Sequence, residues 1–589
     1  MKKLLYLVLL IMLFNNVSLS GQTTKKSKEK ESKDFEFTEG AEIKERKLSL
    51  MSSMAGYDGN NTYLIGFRPK GIILFFVPIV SMRYIFQSYN MDNMSLDKAY
   101  RQNAFSKQFK NNRFVASDMI NEEPYMFTYE NVTKKGKKSV DINYYSIDKS
   151  TMKPSAKNKL VTLPKASVPS SSKWSYVMGI MKNMSNNEER ISGVNYLRSP
   201  DKKTFYIITI VEEKKKTKGG KKNKSESYLV YVNAFDNNFE SLWEKQEKVK
   251  FDNAGTIFTG LDADNIGNVY FTVKDYKEKR KGESKKQGIR NYEYKLYYIG
   301  KDKEDLQEVK LNLDNKFVTE MNVKVFDDSV GAVCTGFYYD DNSKRKQDNV
   351  SGAFVGLVDK DSNEMLDENF YEFGEDLYSQ DVKVKTFNFF GKQKGAKQDE
   401  KGTEDIELRK VYVRPDGKII VTGERYYMYV VVTTTTNGRT TTTRREYHYI
   451  HNDVLVTCIT PAGQTEWSVR IPKYQHQVNG TYLSSFIPIM VGNNVYFIYN
   501  DHQDNAKLTT SGTFSYADLG GKKSTVVCVK VDEDGEVNKY KLSGKKDLDG
   551  MVCISGANNI DNKKIVLPIM GRWGRLLKFG IVDFKAPKD

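Results

Sequence analysis

A unit of about 50 residues keeps returning along this chain: strand, Asp/Asn/Gly turn, strand, long polar connection, strand, second turn, strand. The clearest copy runs from Gly255 to Asn312, where GTIFTGLDAD turns at Asn265 to Gly267 into NVYFTVKDY. Val269, Phe271 and Val273 alternate there with more polar neighbours, and strict alternation predicts a strand buried on one face. The charged KEKRKGESKKQG cannot pack, and YEYKLYYIG and LQEVKL then supply two further strands. The four are labelled A to D, inner to outer.

The same order recurs in RKVYVRPDGKIIVTGERYY, across Asp416-Gly417, followed by DVLVTCITPAGQTEWSVRI across Ala462-Gly463. It recurs again in NNVYFIYND followed by STVVCVKVDEDGEVNKYKL across Asp534-Gly535. Weaker copies start near Ser53, Arg113, Arg190, Thr319 and Met551. A unit that cannot bury its own faces must stack on its neighbours, and four-stranded units stack radially. The expected fold is therefore all-β, a β-propeller of about eight four-stranded blades, with seven the alternative count. The last unit ends at RLLKFGIVDF without a D strand. An open strand edge leaves backbone groups unpaired, so a strand from within Phe35 to Leu48 is expected to close the ring.

The turn-plus-Trp pattern TPAGQTEW, Thr460 to Trp467, and more loosely Phe235 to Trp243, resembles the docking motif of quinoprotein-like eight-bladed propellers. The resemblance implies that each Trp packs on the neighbouring blade. The vicinal cysteine pair of that family is absent here, so the resemblance implies architecture and no quinone.

The first twenty residues, MKKLLYLVLLIMLFNNVSLS, place Lys2 and Lys3 before an apolar run ending at Phe14, the form of a secretory signal. Asn15 and Asn16 end the run too early for a membrane-spanning helix, which needs about 20 apolar residues. The expected organisation is a signal peptide over 1–20, a Lys/Glu/Ser-rich tether over 21–34 and the propeller over 35–589, with no transmembrane segment once the signal is removed. Cys334, Cys458, Cys528 and Cys553 sit among β-formers and read as buried strand thiols, too sparse for a disulfide framework. Together these point to an exported bacterial protein of the periplasm or cell surface.

The formal charge of +17 favours anionic partners. Much of it falls in proposed B–C connections, at 134–138, 214–224, 277–286 and 343–346. All B–C connections of a propeller leave by one face, which makes that face basic. The partner-binding candidates there are Lys214, Lys215, Lys216, Lys218, Lys221 and Lys222. The segment 426–450, YYMYVVVTTTTNGRTTTTRREYHYI, centres on Asn437-Gly438 between strong β-formers and predicts a long hairpin projecting from its blade. Tyr426, Tyr427, Arg439, Arg444, Arg445 and Tyr447 are its candidate contact residues. GIILFFVPIV, 71–80, is too short to span a bilayer and reads either as a buried strand ended by Pro78 or as a peripheral membrane contact.

No G-x-S-x-G elbow, phosphate loop or H-E-x-x-H is present. His448 and His451 are three apart on an expected strand, so their side chains point to opposite faces and suit no common metal. Asp262-Ala263-Asp264-Asn265 and Asp359-Lys360-Asp361-Ser362-Asn363 open like calcium loops. The second lacks the Gly and Glu such a loop needs, and both are expected to serve as turns, calcium being the alternative and no other cofactor expected. The expected function is a non-catalytic binding or scaffold protein of the bacterial envelope, whose partner is an envelope protein or anionic polysaccharide and not nucleic acid. The alternative is a carbohydrate-active hydrolase or lyase whose site lies at the channel mouth.

Overall fold

In the computed structural model the repeat becomes a ring of eight antiparallel sheets. The structure describes residues 32–585 apart from 44–49, 75–76, 104–105, 107, 110, 165–167, 169–190, 192, 214–226, 252–255, 277–291, 314–315, 326–331, 340–349, 360, 374–381, 385–395, 402–404, 438–439, 461–463, 511, 520–522, 543–549, 562 and 572–575. The expected signal, residues 21–31 of the tether, the lysine-rich connections 214–224 and 277–286, and 343–346 lie outside the described residues.

Seven blades occupy 50–103, 113–164, 193–250, 257–309, 317–372, 405–471 and 487–541, each with strands in the order A-B-C-D. In blade eight, A is split into Met551–Val552 and Asn558–Asp561, B is Lys564–Met570 and C is Leu576–Phe584. Its fourth strand comes from the other end of the chain, Phe35–Glu39, with Phe35 opposite Phe584 and Glu39 opposite Gly580. The expected closure of the ring is thus present. Phe35 is buried among Ile489, Ile498, Val582 and Phe584, so the closing strand also packs on blade seven.

What holds the ring is alternation within each strand. In strand B of blade three, Thr204–Glu212, Phe205, Ile207 and Val211 pack toward blade two, while Tyr206, Ile208 and Ile210 pack toward blade four. Each blade is in this way buried on both faces, and an apolar cluster fills every gap between successive blades around the circle. The last gap joins Leu64 and Tyr89 of blade one to Val566, Phe579 and Ile581 of blade eight, which shows a closed ring. The expectation of one buried face for Asn268–Tyr276 needs correction. Val269, Phe271 and Val273 face blade three, but Tyr270 faces blade five and Thr272 is buried as well. Tyr and Thr look polar in a sequence yet bury readily in a pleated, two-sided sheet.

The two tryptophans named above dock as the resemblance implies. Trp467, on strand D of blade six, donates its indole N–H to the Glu533 carbonyl of blade seven at 2.9 Å. Gly535 in the same turn has φ +85°, and a Cβ there would lie 2.9 Å from the indole. Trp243 of blade three meets Gly267 of blade four, φ +107°, in the same manner. The acidic segments act as turns: Asp264 accepts the backbone N–H of Ile266, Gly267 and Asn268 at 2.7–3.0 Å, and Asp359 accepts those of Asp361 and Ser362. All four cysteines are free and buried. Burial pushes the Cys458 thiol up to about 12, which makes it unreactive at neutral pH.

Because successive strands reverse direction, A–B and C–D turns share one face of the ring and B–C and D–A connections share the other. The B–C face carries what is irregular about this propeller. In blade one, strands Asn61–Leu74 and Val77–Asn90 continue to the pair Leu74–Val77, so Pro78 lies inside a strand opposite Ile73 and does not end it. Among the described residues no third strand pairs that part of the ribbon, and such an edge tolerates Pro.

Candidate functional site: the blade-six hairpin and the ionic cluster beneath it

Strands B and C of blade six, Ile419–Asn437 and Thr440–Ile459, run well past their blade as one ribbon paired through to Asn437–Thr440. The sequence predicts a hairpin that either projects from its blade or packs on a neighbouring one, and its lower half is covered at both edges. Ala396–Lys401, from the connection between blades five and six, pairs with Tyr429 to Thr433 on one edge. Gln475–Val478, from the connection between blades six and seven, pairs with His448 to His451 on the other, and Ala517–Asp518 of blade seven extends that side in parallel. Tyr429, Val431 and Ile450 form a small apolar core here, with Tyr427 and Tyr516 against it. Among the described residues, no third strand pairs the ribbon beyond Thr433 on one edge and His448 on the other.

A cluster of charges that no local spacing announces lies where ribbon meets blade. Glu424, on strand B, is wholly buried, as are Lys473 and His451. Lys473 donates to Glu424 Oε1 at 2.6 Å, to the Gln475 side-chain carbonyl at 3.0 Å and to the His451 carbonyl at 3.3 Å. Glu424 Oε2 accepts from the Ser485 hydroxyl at 2.7 Å and from Arg409 on strand A, and lies 3.0 Å from His451 Nδ1. Arg409 also pairs with Glu407 at 2.7 Å. Gln475 continues the network into blade seven by donating to the Asn500 carbonyl at 2.7 Å. Burial alone would push the Glu424 carboxyl up, but the charges of Lys473 and Arg409 prevail and hold it well below the usual carboxylate range.

Two carboxylates, one ammonium and one guanidinium balance without the imidazole, and burial pushes His451 down to about 4. His448 and His476 stack with rings 9° from parallel and Nδ1 to Nε2 at 2.9 Å. Burial lowers both, His476 to about 4. All three are neutral at neutral pH. As expected for residues three apart on a strand, His448 and His451 have different partners.

This arrangement predicts an acid-labile hairpin base. In the unfolded chain these imidazoles titrate near 6.5, so between about pH 6.5 and 4 the unfolded state binds more protons than the folded one. Stability is expected to fall as pH falls through that window, with His451 contributing roughly 3 kcal/mol and no dependence on these groups above it. Thermal melts from pH 7.5 to 4.5 test this, and His451→Gln should flatten the slope.

The structure brings some sequence candidates together and leaves others apart. Tyr426 packs on the His451 ring at 4.8 Å between centroids with the rings tilted by 47°, and Tyr427 packs on the small core. Both thus contribute to the hairpin base. Tyr447, 39% exposed, and the exposed Arg444 and Arg445 lie on the outer strand, with Arg444 paired to Glu446 at 2.7 Å. Lys214, Lys215, Lys216, Lys218, Lys221, Lys222 and Arg439 lie outside the described residues. The basic B–C turn of blade two is described: Lys134, Lys135, Lys137 and Lys138 are exposed around a two-residue turn with φ 47° at Lys135 and 76° at Gly136. Sequence reasoning missed Glu424, Lys473, Arg409 and Gln475. The one signal that could have exposed them is a charge inside an apolar strand, the Glu of IIVTGERYY.

On the opposite face, at the innermost strands of blades two and three, Asp118 accepts from the Tyr196 hydroxyl and lies 3.1 Å from Arg198 Nε. Burial pushes the Asp118 carboxyl up against the pull of these two partners. Among the described residues no group of three or more His, Cys, Asp or Glu side chains is placed to hold a metal.

No protein-family model matches the chain, and no curated protein matches it. Among solved structures it is similar to the β-propeller domain of the trilobed protease from Pyrococcus furiosus, at 8% identity over 84% of this chain and 97% of that one, with a TM-score of 0.28. It is similar to a protein of unknown function from Dyadobacter fermentans, at 8% over 68% and 97% with a TM-score of 0.28. It is similar also to the phage phi92 endosialidase, at 9% over 87% and 70% with a TM-score of 0.26. Likenesses of this size carry no functional assignment, and the propeller rests on the chain's own strand order and its closed circle of inter-blade clusters.

Proposed function

We propose that this chain is an exported, non-catalytic β-propeller that acts as a binding or scaffold protein in a bacterial envelope, engaging an envelope protein or an anionic polysaccharide through its B–C face. The observation that carries the reading is the blade-six ribbon. Its base is fixed by a buried ionic network and by strands recruited from three connections, while its Thr-rich outer rungs have no third strand among the described residues. A rigid platform under an open ribbon edge suits strand addition by a partner. The densest cluster of titratable groups supports a structural role, since Glu424, Lys473 and His451 at its centre are wholly buried and its charges balance.

Replacing 434–443 by Asn-Gly is expected to leave the melting temperature unchanged and to weaken partner capture by at least about tenfold. Changing Lys214, Lys215, Lys216, Lys218, Lys221 and Lys222 to Ser is expected to remove its salt-sensitive part. Capture equal to wild type by both variants would overturn the reading.

One observation favours the carbohydrate-active alternative, the Asp118 carboxyl raised by burial beside Tyr196 and Arg198 on the innermost strands. Under the scaffold reading, purified protein depolymerises no acidic polysaccharide. Depolymerisation abolished by Asp118→Asn would establish the alternative.

A further inference from the structure

We propose that blade seven carries an intramolecular isopeptide bond, an amide formed between the side chains of Lys539 and Asp501 with loss of one water. Asp501 lies near the end of strand B, Asn494–His502, and Lys539 lies on strand D, Val537–Lys541, with strand C between them. Lys539 Nζ lies 2.7 Å from Asp501 Oδ2, and the two side chains are 1% and 0% exposed. Asp501 Oδ1 accepts the Asn505 side-chain N–H and the His502 backbone N–H, each at 2.7 Å. Asn505 is itself fixed by Ser515, whose N–H and carbonyl it meets at 2.8 and 2.7 Å. Nζ also lies 5.6 Å from the centre of the Tyr499 ring and 5.8 Å from that of Phe514, and both rings are buried.

The buried pair at the hairpin base shows why this one is different. Lys473 divides its donors among three acceptors, and Glu424 is held as a carboxylate by Arg409 as well. Asp501 and Lys539 have no charged partner except each other among the described residues. Two desolvated charges are costly when little else supports them, and moving one proton from Nζ to Oδ2 leaves a neutral amine facing a neutral acid. Nζ then attacks Cγ, and as the C–N bond forms the negative charge develops on Oδ1, between two donors already in place. A second Nζ proton passes to the Oδ2 hydroxyl, the C–O bond breaks and that oxygen leaves as water. Nothing is oxidised or reduced, and no co-reactant is needed. The aromatic walls exclude the water that would reverse the step. The link closes off the connection between strands B and C, in which Ala517–Asp518 pairs with Gln475–His476 beside the blade-six ribbon. It therefore fastens one flank of the ribbon to the outer strand of blade seven, whatever the ribbon binds.

Tryptic peptide mapping of the purified full chain by mass spectrometry tests it. The expected product is one branched peptide that joins the segment containing Asp501 to the segment containing Lys539, lighter than their sum by one water and uncleaved after Lys539. Lys539→Arg keeps the positive charge but cannot form the amide, because a guanidinium does not give up its proton. Its digest should contain only linear peptides from the two segments, and its intact mass should exceed that of wild type by one water beyond the substitution itself. Linear peptides alone from wild type, both after purification and after prolonged incubation of the folded protein, would overturn the proposal. Loss of water without a link between these two residues, as in a succinimide at Asp501, would overturn it as well.

Discussion

Lys473→Met is expected to destabilise the protein by about 3–5 kcal/mol, because removing one partner of a buried ion pair strands the other. Glu424 would keep Arg409 but lose the ammonium at 2.6 Å, and Gln475 would lose the donor that ties it to the same centre. The damage should concentrate at the hairpin base. Amide exchange is expected to speed up first in Tyr429 to Thr433 and His448 to His451, where the flanking strands attach. Adding Glu424→Leu should recover part of the loss, since an apolar pair of similar volume replaces a costly desolvated one. Chemical denaturation of the single and double variants, with exchange measured by mass spectrometry, gives both readings. Equal stability of Lys473→Met and wild type would mean that the network does not hold the ribbon.

Removing residues 32–39 is expected to have the larger effect. Blade eight would lose its outer strand and the Leu576–Phe584 strand one of its two partners, leaving an open edge that pairs promiscuously with other chains. The hydrophobic part can be tested alone, because Phe35 is buried against Tyr540, Tyr496 and Phe584 at the seam between blades seven and eight. Phe35→Ala is expected to cost about 3–5 kcal/mol, and the truncated chain to aggregate at temperatures where wild type is monomeric. Light scattering during a thermal ramp follows both. A truncated chain that melts like wild type would show that the ring does not depend on its closing strand.

The features legible in the sequence were those written locally. Alternation, Asp-Gly turns and the missing fourth strand of the last unit are read within one repeat, and together they yield an eight-bladed ring closed from the N-terminus. Trp467 was readable because its turn motif recurs. Three features were not legible, each for a physical reason. AKQDEK, 396–401, consists of poor β-formers, and it is a strand because the exposed edge of Tyr429 to Thr433 recruits it. Glu424 and Lys473 are far apart in sequence and meet only because a connection between blades folds back under the hairpin. The two-sided burial of Asn268–Tyr276 is hidden because Tyr270 and Thr272 read as polar until a neighbouring blade covers them.

Cross-linking in the native envelope, with the linked lysines located by mass spectrometry, tests most directly the claim that the B–C face is the binding face. Lysines mark both faces: Lys134, Lys135, Lys137 and Lys138 on the B–C side, and Lys202, Lys203, Lys301 and Lys303 in turns on the opposite side. The account predicts that links to other molecules start from the first set, together with Lys214 to Lys222. Links concentrated on Lys202, Lys203, Lys301 and Lys303 would contradict it and direct attention to the channel mouth beside Asp118.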